Sequence, residues 1–317
     1  MKRNIVVVTG ALMLSAAVAQ GQGGQHCQYA SLNSACETAA DVFVYMAPQV
    51  GQAIAGGNAT LGQGGSLGGL GHFAVSVRGN VVRGSLPDLS NYSPATQGPT
   101  TIDTKDQFLG LPTVDAAIGI FPGLNLGVTR VGGIDALLNA AYIPEYDGGS
   151  VKVKLPNGSL KFGYGARIGI LQEGIVSPGV GFSYVRRDLP TMDITATTSA
   201  GTLEVHDISV KTTSWRVTAS KSLILFGLAV GAGQDKYDAS GPIGIIGAPS
   251  TSGPSYPSQS LTRTNYFADL SMNLMLAKLV AEIGQVSGGD VQTYNTFSGK
   301  AADASRLYGS VGLRVGF

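Results

Sequence analysis

The sequence predicts an all-β fold, a transmembrane antiparallel up-and-down β-barrel of about ten strands, with 10 to 14 admissible. Three observations predict it. From residue 70 to the end, apolar and polar residues alternate with a period of two. The connections between the alternating segments are long and short by turns. No stretch beyond the N-terminal leader is long and apolar enough for a spanning helix, the most apolar, "SLILFGLAVGAG" from Ser222, being glycine-broken and well under the roughly 20 residues required. Insertion in a membrane therefore falls to strands.

The elements follow in order. "MKRNIVVVTGALMLSAAVAQG" has Lys2 and Arg3, an apolar run, and then Ala17, Val18 and Ala19. That is the order of a secretory signal over 1–19, cleaved after Ala19, which places the mature chain outside the cytoplasm. Residues 20–69 form a second unit. Ser34 and Glu37 make a capping-box pair ahead of "TAADVFVYMAPQV", so a helix is expected from about Cys36 to Met46, ending near Pro48. The following "GQAIAGGNATLGQGGSLGGLG" is too rich in glycine to be helical. Cys27 and Cys36 are expected to pair as a disulfide in an exported chain; with His26 alone beside them they make no metal site. Neither a metal nor an organic cofactor is implied.

Residues 70–317 are the barrel. Its outward apolar rows include Phe73, Val75 and Val77; Val114, Ala116 and Ile118; Ile134, Leu138 and Tyr142; and Phe162, Tyr164 and Ile168. They continue with Val180, Phe182 and Tyr184; Trp215 and Val217; Tyr266, Leu270 and Met272; Leu279 and Ile283; and Leu307, Val311 and Leu313. Trp215, Tyr142, Tyr164, Tyr184 and Tyr266 are candidates for the aromatic girdles. The opposite parity carries Arg78, Asp135, Lys161, Arg167, Arg216, Asp269, Glu282, Arg306 and Arg314, the candidate lumen-facing residues, since each would cost a few kcal/mol against lipid. An interior with both signs favours packing over an open channel. The loop from Pro87 to Leu111 has room for one more hairpin, which would raise the count to about 12.

Alternating long and short connections, counted back from Phe317, put the short turns and both ends of an even-stranded barrel on the periplasmic side of a bacterial outer membrane. Outer-membrane lipid is thus one expected partner. The barrel-assembly machinery is another, through the terminal strand "SRLYGSVGLRVGF" that ends on Phe317. Composition agrees: 46 glycines and 14 prolines in 317 residues fit many short strands joined by turns. With 21 basic against 20 acidic residues and 13% charged, neither a nucleic-acid surface nor disorder is implied.

The segment "GGNATLG", Gly56 to Gly62, ahead of a barrel resembles the plug of the long-chain fatty acid transporter family. That resemblance implies a lumenal N-terminal segment that moves to admit a small hydrophobic ligand. The blocks "VGGIDALLNAAYIP", "GSLKFGYGARIGIL" and "GVGFSYVRRDLP" resemble an uncharacterised family of bacterial outer-membrane β-barrel proteins over Leu70 to Phe317, which implies location and transfers no functional residue. The expected function is passage or binding of small molecules through a plugged lumen. The alternative is a structural or adhesive role through long outer loops such as Gly241 to Ser260. Catalysis is not expected: His206 and Asp207, with Asp188 and Asp193 in the preceding loop, could make a rim site, but neither G-x-S-x-G nor H-E-x-x-H occurs.

Overall fold

Strands that alternate apolar and polar residues and are joined by short turns pair antiparallel with their chain neighbours, and here the pairing closes on itself. The computed structural model describes residues 33–58, 60–89, 99–127, 129–147, 151–198, 201–246 and 257–317. The signal segment and the Cys27–Cys36 pairing lie outside what it describes. Ten strands form the wall: β1 (Phe73–Asp88), β2 (Thr101–Phe121), β3 (Gly133–Tyr142), β4 (Leu160–Leu171), β5 (Gly179–Asp188), β6 (Gly201–Ser222), β7 (Phe226–Ser240), β8 (Ser258–Leu274), β9 (Ala277–Ser287) and β10 (Arg306–Gly316). Each pairs antiparallel with the next, and β10 closes on β1 in a register running from Ala74↔Gly316 to Val82↔Tyr308. Closure leaves the wall no free edge.

The extra hairpin that the stretch from Pro87 to Leu111 had room for is absent from the wall, which keeps to ten strands. Instead β1 and β2 are longer than their apolar rows and stay paired out to Asp88↔Asp103, so the same hairpin simply projects beyond the rim. The outer connections also build a small sheet: Val151–Lys154 pairs with Met192–Thr198, which pairs with the start of β6, which pairs with Ile243–Ile246.

The helix is longer than its sequence signals indicate. Helix α1 runs Asn33–Ala55 with Pro48 inside it. Its contacts with β1, β2, β5, β6, β7 and β8, strands from around the wall, place it within the lumen. A proline removes one helical hydrogen bond and normally ends the helix. Tertiary contacts carry the chain past it here. Gln49, just after the proline, accepts from Ser85 N–H at 2.7 Å and donates through Nε2 to Ser85 O at 3.1 Å and to Tyr45 O at 3.2 Å. Gly51 then lies so close to the wall that a Cβ would stand 2.5 Å from the Tyr237 ring. After Ala55 the chain leaves the helix through Gly57, at φ 79°, and its described residues form no further helix or strand before β1.

Candidate functional site

The wall presents two different faces. Its outward row is exposed and apolar, with Val77, Leu138, Phe162, Val230, Leu270, Ile283 and Val311 each at least half exposed. Its inward row is buried and carries nearly all of the wall's buried polar and charged side chains, interspersed with apolar ones such as Val82, Leu137 and Phe267. A closed wall of this kind with an apolar exterior belongs in lipid. The fold is that of an outer-membrane β-barrel. No family model and no curated protein matches the chain. Among solved structures it is similar to Ail, the attachment invasion locus protein of Yersinia pestis (11% identity, 78% of this chain and 99% of that one, TM-score 0.29). It is also similar to the translocator domain of the autotransporter NalP from Neisseria meningitidis (14%, 78% and 88%, TM-score 0.40) and to the Ralstonia pickettii toluene transporter TbuX (12%, 83% and 92%, TM-score 0.25). At these identities nothing about a site carries across.

The barrel's lumen holds α1 and the descending residues 56–58 and 60–67, and it is lined by charges that grip them. At the C-terminus of α1, where the helix dipole is negative and carbonyls lack helical partners, arginines converge. Arg216 donates to Ala55 O at 2.6 Å and Arg187 at 3.3 Å, while Arg78 donates to Gly56 O at 2.6 Å. Each of the first and last is also paired within the wall, Arg78 with Asp115 and Arg216 with Asp235 at 3.4 Å. Below them, carboxylates receive the amides of the descending segment. Glu282 accepts from Asn58 N–H at 2.9 Å, Asp269 from Gly62 N–H at 3.1 Å, and Asp135 from Leu67 N–H at 3.1 and 3.2 Å. Arg167, paired with Asp135 at 2.7 Å, reaches Thr60 Oγ1 at 2.6 Å, and Arg314 reaches Leu61 O at 2.8 Å. Buried charges need partners. Here the plug's own backbone supplies many of them.

Of the nine sequence-assigned lumen residues, Arg78, Asp135, Arg167, Arg216, Asp269, Glu282 and Arg306 are buried. Arg314 is half-buried. Lys161 differs: it shares the inward parity but sits one residue inside the outer end of β4, where it is exposed and outside the network. Parity fixes a face and not a height, so the sequence alone groups Lys161 with the rest. Sequence reading passed over Asp115, Arg187 and Asp235, although Asp115 alternates with Val114 and Ala116, and Arg187 with Phe182 and Tyr184. The same parity rule finds them. At the rim, His206 Nδ1 stands 3.6 Å from Asp193 Oδ2, and the same aspartate accepts from Asp207 N–H at 2.8 Å. Asp188 turns to Arg186 at 3.5 Å, so the four rim residues do not converge.

The outer mouth is apolar. Ala39, Ala40, Phe43, Val44 and Ala47 of α1 pack against Leu155, Leu189, Met192, Val205, Ile208, Val210 and Ile243 from the outer sheet and rim. Beside this contact lies a cavity of about 280 Å³, walled by α1 (Val42, Phe43, Met46, Val50), by β1 and its continuation (Leu86, Pro87, Leu89) and by the outer sheet (Met192, Ile194, Val205). Loop 288–305 closes over the other flank. Asp41 accepts from the backbone N–H groups of Tyr294 and Asn295 at 3.0 and 2.7 Å, and Tyr45 stacks on Phe297 at 3.8 Å. Burial raises the Asp41 carboxyl above its ordinary range, against the pull of those donors.

Proposed function

We propose that this outer-membrane protein binds a small apolar molecule in the cavity between α1 and the outer rim, and that the lumenal segment governs its passage. The observation that carries the reading is the lining. All the side chains that surround this cavity of about 280 Å³ are apolar, and six of the fourteen belong to the plug helix, so an occupant touches wall and plug at once. Its size lies at the low end for ligand pockets, which favours a compact ring or short aliphatic chain over an extended lipid. A ligand that binds better when α1 has shifted moves the plug by as much as that difference in affinity.

The test uses N-phenyl-1-naphthylamine with the protein in lipid nanodiscs. Wild type is expected to bind it saturably, and Ala47→Phe, which fills the cavity from the helix side, is expected to weaken binding at least about tenfold while the barrel still shows its folded band on unheated gels. Equal binding by both proteins overturns the proposal and turns attention to surface contact through the outer sheet.

A further inference from the structure

The opposite end of the barrel carries features that ligand passage does not explain. The tips of its short turns are apolar and almost wholly exposed: Ile175 at 98%, Val176 at 91%, Ile224 at 94% and Met275 at 105%. These turns connect β4 to β5, β6 to β7 and β8 to β9, so they form one arc around the rim. They are not loosely held. Lys221 Nζ donates to the carbonyls of Gly174, Ile175 and Ser177, and Glu173 accepts from Ser222 N–H and Ser220 Oγ. Asn273 donates to the carbonyls of Leu223 and Ile224. Met275 itself sits at φ 30°, in a two-residue turn where Asn or Gly would adopt that backbone with less strain. A strained, apolar turn tip suits apolar surroundings.

The height of the wall says what those surroundings are. On β8 the outward apolar row from Tyr266 to Leu274 spans about 21 Å of height, taking ~3.4 Å per residue and a ~40° tilt, against an apolar band of ~25 Å for such barrels. Met275 and Leu276 continue that row without a polar break. The tips therefore extend the lipid-facing surface into the inner leaflet.

Just inside the arc lies a polar cavity of about 350 Å³, lined by Met275, Leu276, Phe73 and Phe317 on its rim side and by Lys278 and Arg314 on its lumen side. The two cations face each other directly across β9 and β10, a costly placement for like charges. Among the described residues neither forms a salt bridge: Lys278 Nζ reaches Ser222 Oγ at 3.5 Å and Arg314 reaches the Leu61 carbonyl. Of the acids near them, Glu173 is engaged with the neighbouring turn and Asp269 accepts from the Gly62 N–H. An anionic group between them would offset their repulsion.

We propose that this inner mouth is a phospholipid site, in which the headgroup phosphate of an inner-leaflet lipid lies between Lys278 and Arg314 while its acyl chains lie along Met275, Leu276 and Phe73. The full-length protein, extracted in mild detergent, is examined by native mass spectrometry for retained phospholipid, with folding checked by the gel shift on heating. Wild type is expected to keep one phospholipid per barrel. Lys278→Gln, which breaks no ion pair, is expected to lower retention about tenfold, as loss of one charged hydrogen bond does. Met275→Ser/Leu276→Ser is expected to lower it too, and inorganic phosphate at millimolar concentration is expected to displace little. Three results overturn the proposal: no retained lipid on wild type, equal retention by wild type and Lys278→Gln, or full displacement by inorganic phosphate with the turn variant unchanged. The last would make the cavity a site for a soluble phosphate compound.

Discussion

Arg216 shows how much a single buried charge can hold. It pairs with Asp235, donates to the last carbonyl of α1 and lies 5.4 Å from the centre of the Phe267 ring. Arg216→Ala leaves Asp235 buried without this arginine and removes one partner of Ala55 O, so the expected cost is about 3–5 kcal/mol. It is read as a fall in the temperature at which the folded band converts on gels. Its inward position was legible in the sequence only as a direction: parity placed Arg216 away from lipid, with Trp215 and Val217 on the other face. That its guanidinium meets a helix end was not legible, because nothing local in residues 215–217 refers to residues 55 and 56.

At the scale of the element, α1 is the part of the chain whose sequence signals mislead. Ser34 and Glu37 point to a start near Cys36, whereas the helix begins at Asn33 with Ser34 already inside it, and Pro48 and Gly51 argue for an early end. The lumen reverses that outcome. Gln49 exchanges two hydrogen bonds with Ser85, and glycine at 51 is what allows the helix to lie against Tyr237. Local propensity amounts to about 1 kcal/mol per glycine and about 3 for proline, so contacts of this number outweigh it. Gly51→Leu is expected to push α1 off the wall. The expected result is raised single-channel conductance in a planar bilayer with the barrel still folded, whereas a conductance equal to wild type would show that the helix adapts without opening a path.

For the whole molecule, the two faces of one closed wall set both location and capacity. Outward residues need only be apolar, and their requirement is depth-dependent: Leu270→Arg, on the lipid face of β8, is expected to cost about 2–4 kcal/mol if it lies near the midplane. The measure is folding yield into vesicles, with the inward neighbour Ser271→Arg read alongside to separate lipid from lumen effects. Inward residues need partners, and the plug backbone between Ala55 and Leu67 provides them. The barrel and its plug are therefore one polar structure inside an apolar sleeve.

A count of about ten strands, their antiparallel neighbour order, the inward and outward faces and the alternation of long and short connections were legible in the sequence alone, because a two-residue period and the lengths of connections are local properties that survive without tertiary contacts. The full length of α1, the capture of its carbonyl end by Arg78, Arg187 and Arg216, the apolar cavity at the outer mouth and the opposed Lys278 and Arg314 at the inner one were decided only by tertiary structure. Each depends on residues far apart in the chain meeting at one height in a closed ring. Parity assigns a face, and closure of the ring assigns the neighbour across it.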